Sequence, residues 1–116
     1  MNFLDAIDHV RDELRSVGIR ADHEPRDVNP PGAWLQLASI AHHQMLCGAN
    51  SVRVYVFLIV PDIGTAEASR LLSVLLTTAL GVLDPDEDTV PTTVNLPSGG
   101  NNGCPALRLT VDVPLD

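Results

Sequence analysis

The sequence predicts a small α+β domain, an antiparallel or mixed sheet with two helices packed on one face. Three observations carry this. Apolar residues recur at helical spacing over 2–17 and 65–80. They alternate at strand spacing over 33–40, 51–60 and 105–113. The resulting order of helix, strands, helix, strand suits a sheet covered on one side. At 116 residues the chain is long enough for one domain, 1–116, with one core, and no internal repeat divides it.

The first helix is read from Phe3, Ile7, Val10, Leu14 and Val17, which form one continuous stripe. Asn2 can cap its start, Asp5 and Asp8 suit its positive end, and Gly18 supplies the stop. A short strand over 19–23 leads into ADHEPRDVNPPG, 21–32. There the prolines impose an extended, stiff connector that turns at Gly32. In the strand 33–40, Trp34, Gln36, Ala38 and Ile40 point one way. Ala33, Leu35, Leu37 and Ser39 point the other.

The clearest strand is SVRVYVFLIV, 51–60. Val52, Val54, Val56, Leu58 and Val60 share an apolar face; Arg53, Tyr55, Phe57 and Ile59 share the opposite one. That second face is too apolar for plain solvent and too polar for a closed core, so it is expected to meet another chain. Pro61 ends the strand, and Thr65 is the expected cap of a helix with its stripe at Ala68, Leu71, Leu72, Leu75 and Ala79. Leu76 and Leu80 widen that stripe on one side and Val74 on the other, more than one sheet face needs. Gly81 is its expected stop. Residues 84–105 then run without helical pattern, far beyond the ~12–15 residues usual for a connection. TVPTTVN within them fits an edge strand, because Pro91 is tolerated only there. In the last strand Leu107, Leu109, Val111 and Val113 are expected inward, and Arg108, Thr110 and Asp112 outward.

Charge and composition exclude several function classes. Hydrophobic residues make up 45% and charged residues 19%, with a formal net charge of -8. Nucleic-acid binding through phosphate contacts needs clustered cations, and docking on an anionic membrane needs the same. No apolar run reaches membrane-spanning length, and the first residues are not a signal peptide. The expectation is a cytoplasmic protein with no membrane anchor. Cys47 and Cys104 make no disulfide framework and read as free thiols.

The stretch AHHQMLCG, 41–48, raises the question of an active site. On a helix His43 and Cys47 would share a face as a possible zinc pair, but zinc takes three or four ligands. His9, His23 and Cys104 follow no metal-binding spacing, and a nucleophilic cysteine needs a histidine brought to it by the fold. Between two strands the expectation is a long hairpin with polar residues at its tip and Met45, Leu46 and Cys47 packed beneath. DPDED, 84–88, begins like a calcium loop. Thr89 and Asn95 stand where glycine and glutamate are required, so it reads as a solvated acidic loop. SGGNNG, 98–103, lacks the lysine and following helix of a phosphate loop.

Three stretches beyond composition carry a family resemblance: VGI, 17–19, closing the first helix; PRDVNPPGAWLQL, 25–37; and the strand that runs straight into VPDIGTAEASRLL, 60–72. With the closing ALRLTVDV, 106–113, they resemble the tail terminator proteins of long-tailed phages, particularly phages of actinobacteria. The resemblance covers most of the chain, with 84–105 least included. It implies a tail-terminator-like fold and a structural role in the virion, with no enzyme activity and no cofactor or metal. It further implies a homo-oligomeric ring, usually hexameric, at the head-proximal end of the tail. That ring stops polymerisation of the tail tube protein and receives the head-completion (stopper) protein. DNA would pass through the channel without specific binding.

On this reading Arg53, Tyr55, Phe57, Arg108 and Asp112 meet a neighbouring subunit or line the channel. His42, His43, Asp86, Glu87, Asp88, Asn101 and Asn102 lie in loops that contact the tube or the head-side protein. Competing readings are another neck or minor tail component such as a head-tail stopper, a small metal-dependent enzyme using His42, His43 and Cys47, and a ferredoxin-like small-molecule-binding domain. The last wants two strand-helix-strand units, and here no strand precedes the first helix.

Overall fold

A computed structural model describes residues 3–42, 50–96 and 103–114. The first helix, α1 (Phe3–Ser16), buries Ala6, Ile7, Val10 and Leu14. Asn2, the expected cap, lies outside the described residues. The helix closes as the glycine predicts. Gly18 adopts a positive φ of 86°, its amide donates to the Arg15 carbonyl at 3.1 Å, and the Ile19 amide donates to the Leu14 carbonyl at 3.1 Å. These paired bonds satisfy carbonyls the helix end would otherwise leave open.

Strand β1 is only Ala21–Asp22. The proline-rich connector contains a single 3-10 turn at Pro25–Asp27 and a cis peptide bond between Pro30 and Pro31. It delivers the chain to β2 (Gly32–His42). A Cβ at Gly32 would sit 3.0 Å from the Arg20 carbonyl oxygen and 3.2 Å from that of Asn29, so glycine suits the close approach of the chain entering β1 to β2. β2 pairs antiparallel with β3 (Asn50–Ile59), from Gly32 opposite Ile59 to His42 opposite Asn50. The ladder thus has the expected hairpin order. One register shift between Leu37 and Ser39 interrupts it.

Helix α2 (Thr65–Ala79) follows, then β4 (Val90–Val94) and β5 (Cys104–Pro114). The strand order is β1-β2-β3-β5-β4, with β1 parallel to β2 and all other pairs antiparallel. The sheet is therefore mixed, and β4 is the edge strand that Pro91 predicts. The Val60 amide donates to the Pro105 carbonyl, so Pro105 turns its backbone toward the β3 side. Thr93, opposite Pro105, and Pro91 two residues before it then face the free edge, where the missing Pro91 N–H costs no ladder bond.

Both helices lie on one face of the sheet. α1 covers β1, β2 and β3, and α2 covers β3 and β5. The core between them holds Val52, Val54, Val56, Leu58 and Leu109, all fully buried. Each such side chain contributes roughly 1.5–3 kcal/mol by leaving water. On the opposite face a smaller cluster of Val28, Ile59, Val94, Leu96, Cys104 and Ala106 seals one end, with Trp34 and Phe57 against it. Cys104 is a free, buried thiol.

One detail differs from the sequence reading, and three others refine it. Thr65 is not the cap of α2: Gly64 is, with φ 100° and ψ 150°, and its carbonyl accepts from the Ala68 amide at 2.9 Å. That conformation is open to glycine alone. Gly81 does not stop the helix by a left-handed turn. Instead the Val82 and Leu83 amides donate to the Ala79 carbonyl at 3.0 and 2.9 Å, overwinding the end. The apolar stripe of α2 is not covered across its whole width: Val74 and Leu80 stand 62% and 47% exposed, in line with an arc wider than one sheet face needs. Leu37 shares the side of Leu35, opposite Val54, yet is 40% exposed where the β2 register shifts.

Candidate interaction face

The second face of the sheet is built by β3 and β5 together. Antiparallel register sets Arg53 opposite Asp112, Tyr55 opposite Thr110 and Phe57 opposite Arg108. Strand alternation then puts all of these side chains on the side away from the helices. The five face residues read from the sequence, Arg53, Tyr55, Phe57, Arg108 and Asp112, are thus brought together, each half-buried.

An aromatic row runs across this face. The Trp34 and Phe57 rings stack at 5.1 Å between centroids, and Tyr55 meets Phe57 edge-on at 6.0 Å. The Trp34 indole Nε1 donates to the His23 carbonyl at 3.2 Å, which fixes the end of the row to the connector. The Arg108 guanidinium lies 4.8 Å above the Tyr55 ring centre. The negative ring face attracts that cation.

Next to the aromatic row lies a charged cluster. Arg53 reaches Glu87 Oε1 through Nη1 at 3.1 Å and lies 3.2 Å from Asp112 Oδ1 through Nε. The Asp86 amide donates to the Thr110 carbonyl at 2.9 Å. The acidic stretch 84–88 is therefore more than a solvated loop, since the backbone and Arg53 tie it along β5. A hydrogen bond with the Asp112 carboxyl raises the Asp86 pKa above its ordinary 3.8. Desolvation and the Asp112 charge act in the same direction, and Arg53 opposes them.

The face is incompletely satisfied. Thr110 is only 2% exposed and Ser51 only 7%, yet neither hydroxyl has a hydrogen-bond partner among the described residues. Arg108 Nε is buried in the same condition. A buried polar atom without a partner costs about 1–3 kcal/mol. Concentrating three of them on one face leaves it in need of complementary donors and acceptors.

Of the loop residues read from the sequence, Asp86, Glu87 and Asp88 are exposed. The backbone of His42 pairs with Asn50. His43, Met45, Leu46, Cys47, Asn101 and Asn102 lie outside the described residues. Among the described residues no three His, Cys, Asp or Glu side chains are grouped to hold a metal ion. No helix among them is long and apolar enough to cross a membrane.

Sequence reading did not single out Trp34, Ser51 or Thr110 as part of this site. Alternation along β3 and β5 carries Ser51 and Thr110 to it, and Thr110 was read as outward. Its side chain is nonetheless 2% exposed, and the Asp86 backbone lies beside it, bonded to the Thr110 carbonyl. Trp34 joins only through the β2–β3 register. No protein-family model matches this chain, and no curated protein matches it in sequence.

Proposed function

We propose that this chain is a structural virion protein that closes into a ring, hexameric as its resemblance to tail terminators implies. The ring caps the head-proximal end of a phage tail tube, ends tube growth and presents a surface to the head-completion protein. It performs no catalysis and needs no cofactor. The observation that carries this reading is the half-covered face of β3 and β5. There an aromatic row, a cation held over Tyr55 and unpartnered hydroxyls at Ser51 and Thr110 lie together.

Such a face suits contact with another protein: aromatic and arginine side chains supply anchoring area, and the polar atoms supply orientation. A neighbour in a closed ring covers the face once per copy. With -8 on each chain, a ring of six is strongly acidic, which repels DNA and keeps its passage free of specific contacts.

Electron microscopy of the purified protein, alone and mixed with tail tubes, tests this. Six-fold rings, and tubes capped at one end, are expected. Protein that stays dispersed in both samples overturns the reading.

A further inference from the structure

Acids and cations are unevenly divided between the two edges of the sheet. At the β5–β4 edge, Asp84, Asp86, Glu87 and Asp88 are all exposed, and Asp112 crowds Asp86. One cation, Arg53, is shared between Glu87 and Asp112. Beneath this stretch the Thr110 hydroxyl is buried and unpartnered. That edge is short of positive charge and of hydrogen-bonding groups.

The opposite edge, at β1, holds the converse. The chain has no lysine, so its fixed cations are arginines. Among the described residues Arg11, Arg15, Arg26, Arg53 and Arg70 each have a carboxylate within ion-pair distance. Arg108 lies over Tyr55. Among the described residues Arg20 alone has neither a carboxylate nor a ring as partner, and it is exposed beside β1. It lines an open cavity of about 390 Å³ between the end of α1 and the proline-rich connector, together with Arg15, Gly18 and Asn29. Asp22 and Asp27 also line it, so Arg20 faces a pocket of mixed charge with room for an incoming chain segment.

We infer that the acidic stretch 84–88 of one copy docks at the Arg20 cavity of the next copy. In this open sheet the β1 and β4 edges stand at opposite ends, and between copies related by rotation they can meet in a head-to-tail contact, the kind that forms a ring when the rotation closes. Charge complementarity sets the register of that contact. The occupant is a second copy because this chain supplies both halves, the unneutralised acids and the unpaired arginine. This inference rests on the ring reading above and names one contact within it.

Charge reversal separates the two. Native mass spectrometry and sedimentation velocity are run on the wild type, Arg20→Asp, Asp88→Arg and the double variant, at low and high salt. Both positions are exposed, and circular dichroism confirms that each variant folds. Each single reversal weakens self-association by roughly tenfold or more. The double variant, and an equimolar mixture of the two single variants, re-form the assemblies. High salt weakens the wild-type contact. Wild-type assemblies that survive both single reversals unchanged overturn this contact and leave the ring reading standing. A wild type that never assembles overturns both.

Discussion

The Arg108 guanidinium sits 4.8 Å above the Tyr55 ring centre, on the sheet face turned away from α1 and α2. The two residues come from adjacent strands, diagonal to each other in the β3–β5 register. Cation and ring hold each other in place within the single chain, which on the proposed reading gives a partner a preformed surface. Arg108→Ala removes the cation–π contact, worth about 0.5–1 kcal/mol where exposed. It should leave the fold intact, lower the thermal midpoint slightly and weaken self-association, which sedimentation velocity reads directly.

The core on the other face sets the stability. Leu58 is fully buried between the sheet and the helices. Leu58→Ala should cost about 2–5 kcal/mol through lost burial and the cavity left behind. Val74, 62% exposed on α2, is the control. Val74→Ala should change stability by no more than about 0.5 kcal/mol. Urea denaturation of both variants checks the pair, and equal losses would show that α2 is packed more deeply than described.

Gly64 provides a backbone test. Its φ of 100° with ψ of 150° is closed to side-chain-bearing residues. Gly64→Ala should destabilise by about 1–3 kcal/mol although, beyond its chain neighbours, nothing in the described fold lies within 4 Å of the added methyl. Thr65→Ala should cost much less, because Thr65 does not cap the helix. Thermal unfolding of the two variants gives the comparison.

Asp86 makes stability depend on pH. Its pKa is raised by the hydrogen bond with Asp112, so the folded protein holds this proton more tightly than the unfolded chain. The stabilising contribution is fully present below the ordinary value of 3.8. It is lost as pH rises through the raised folded value. Asp86→Asn keeps a hydrogen-bond donor and removes the titration. Denaturant midpoints measured across the acidic range should fall with rising pH in the wild type, and this component should vanish in the variant.

Much of this architecture is legible in the sequence because it is local. The stripe Ile7, Val10, Leu14 and the glycine after it specify α1 and its closure within a few residues. Alternation alone places Val52, Val54, Val56 and Leu58 in the core, and Pro91 marks β4 as an edge. The rest depends on distant residues. Thr65 is a better statistical cap than Gly64, and only the backbone at Gly64, with φ 100° and ψ 150°, shows why glycine takes that position. The shift between Leu37 and Ser39 appears only against β3, so the exposure of Leu37 could not be read from its own strand. The acidic stretch reads as solvated until β5 and Arg53 are beside it. In the same way, the shared face of Arg53, Tyr55 and Phe57 follows from alternation, whereas its joining to Arg108 and Asp112 needed the pairing of β3 with β5.

The central claim is that this face joins copies of the chain. Native mass spectrometry of the wild type beside Tyr55→Glu tests it most directly. The substitution places a carboxylate under Arg108 without touching the helix-covered core. A ring is expected for the wild type and a folded monomer for the variant. Rings of unchanged size in Tyr55→Glu would contradict it.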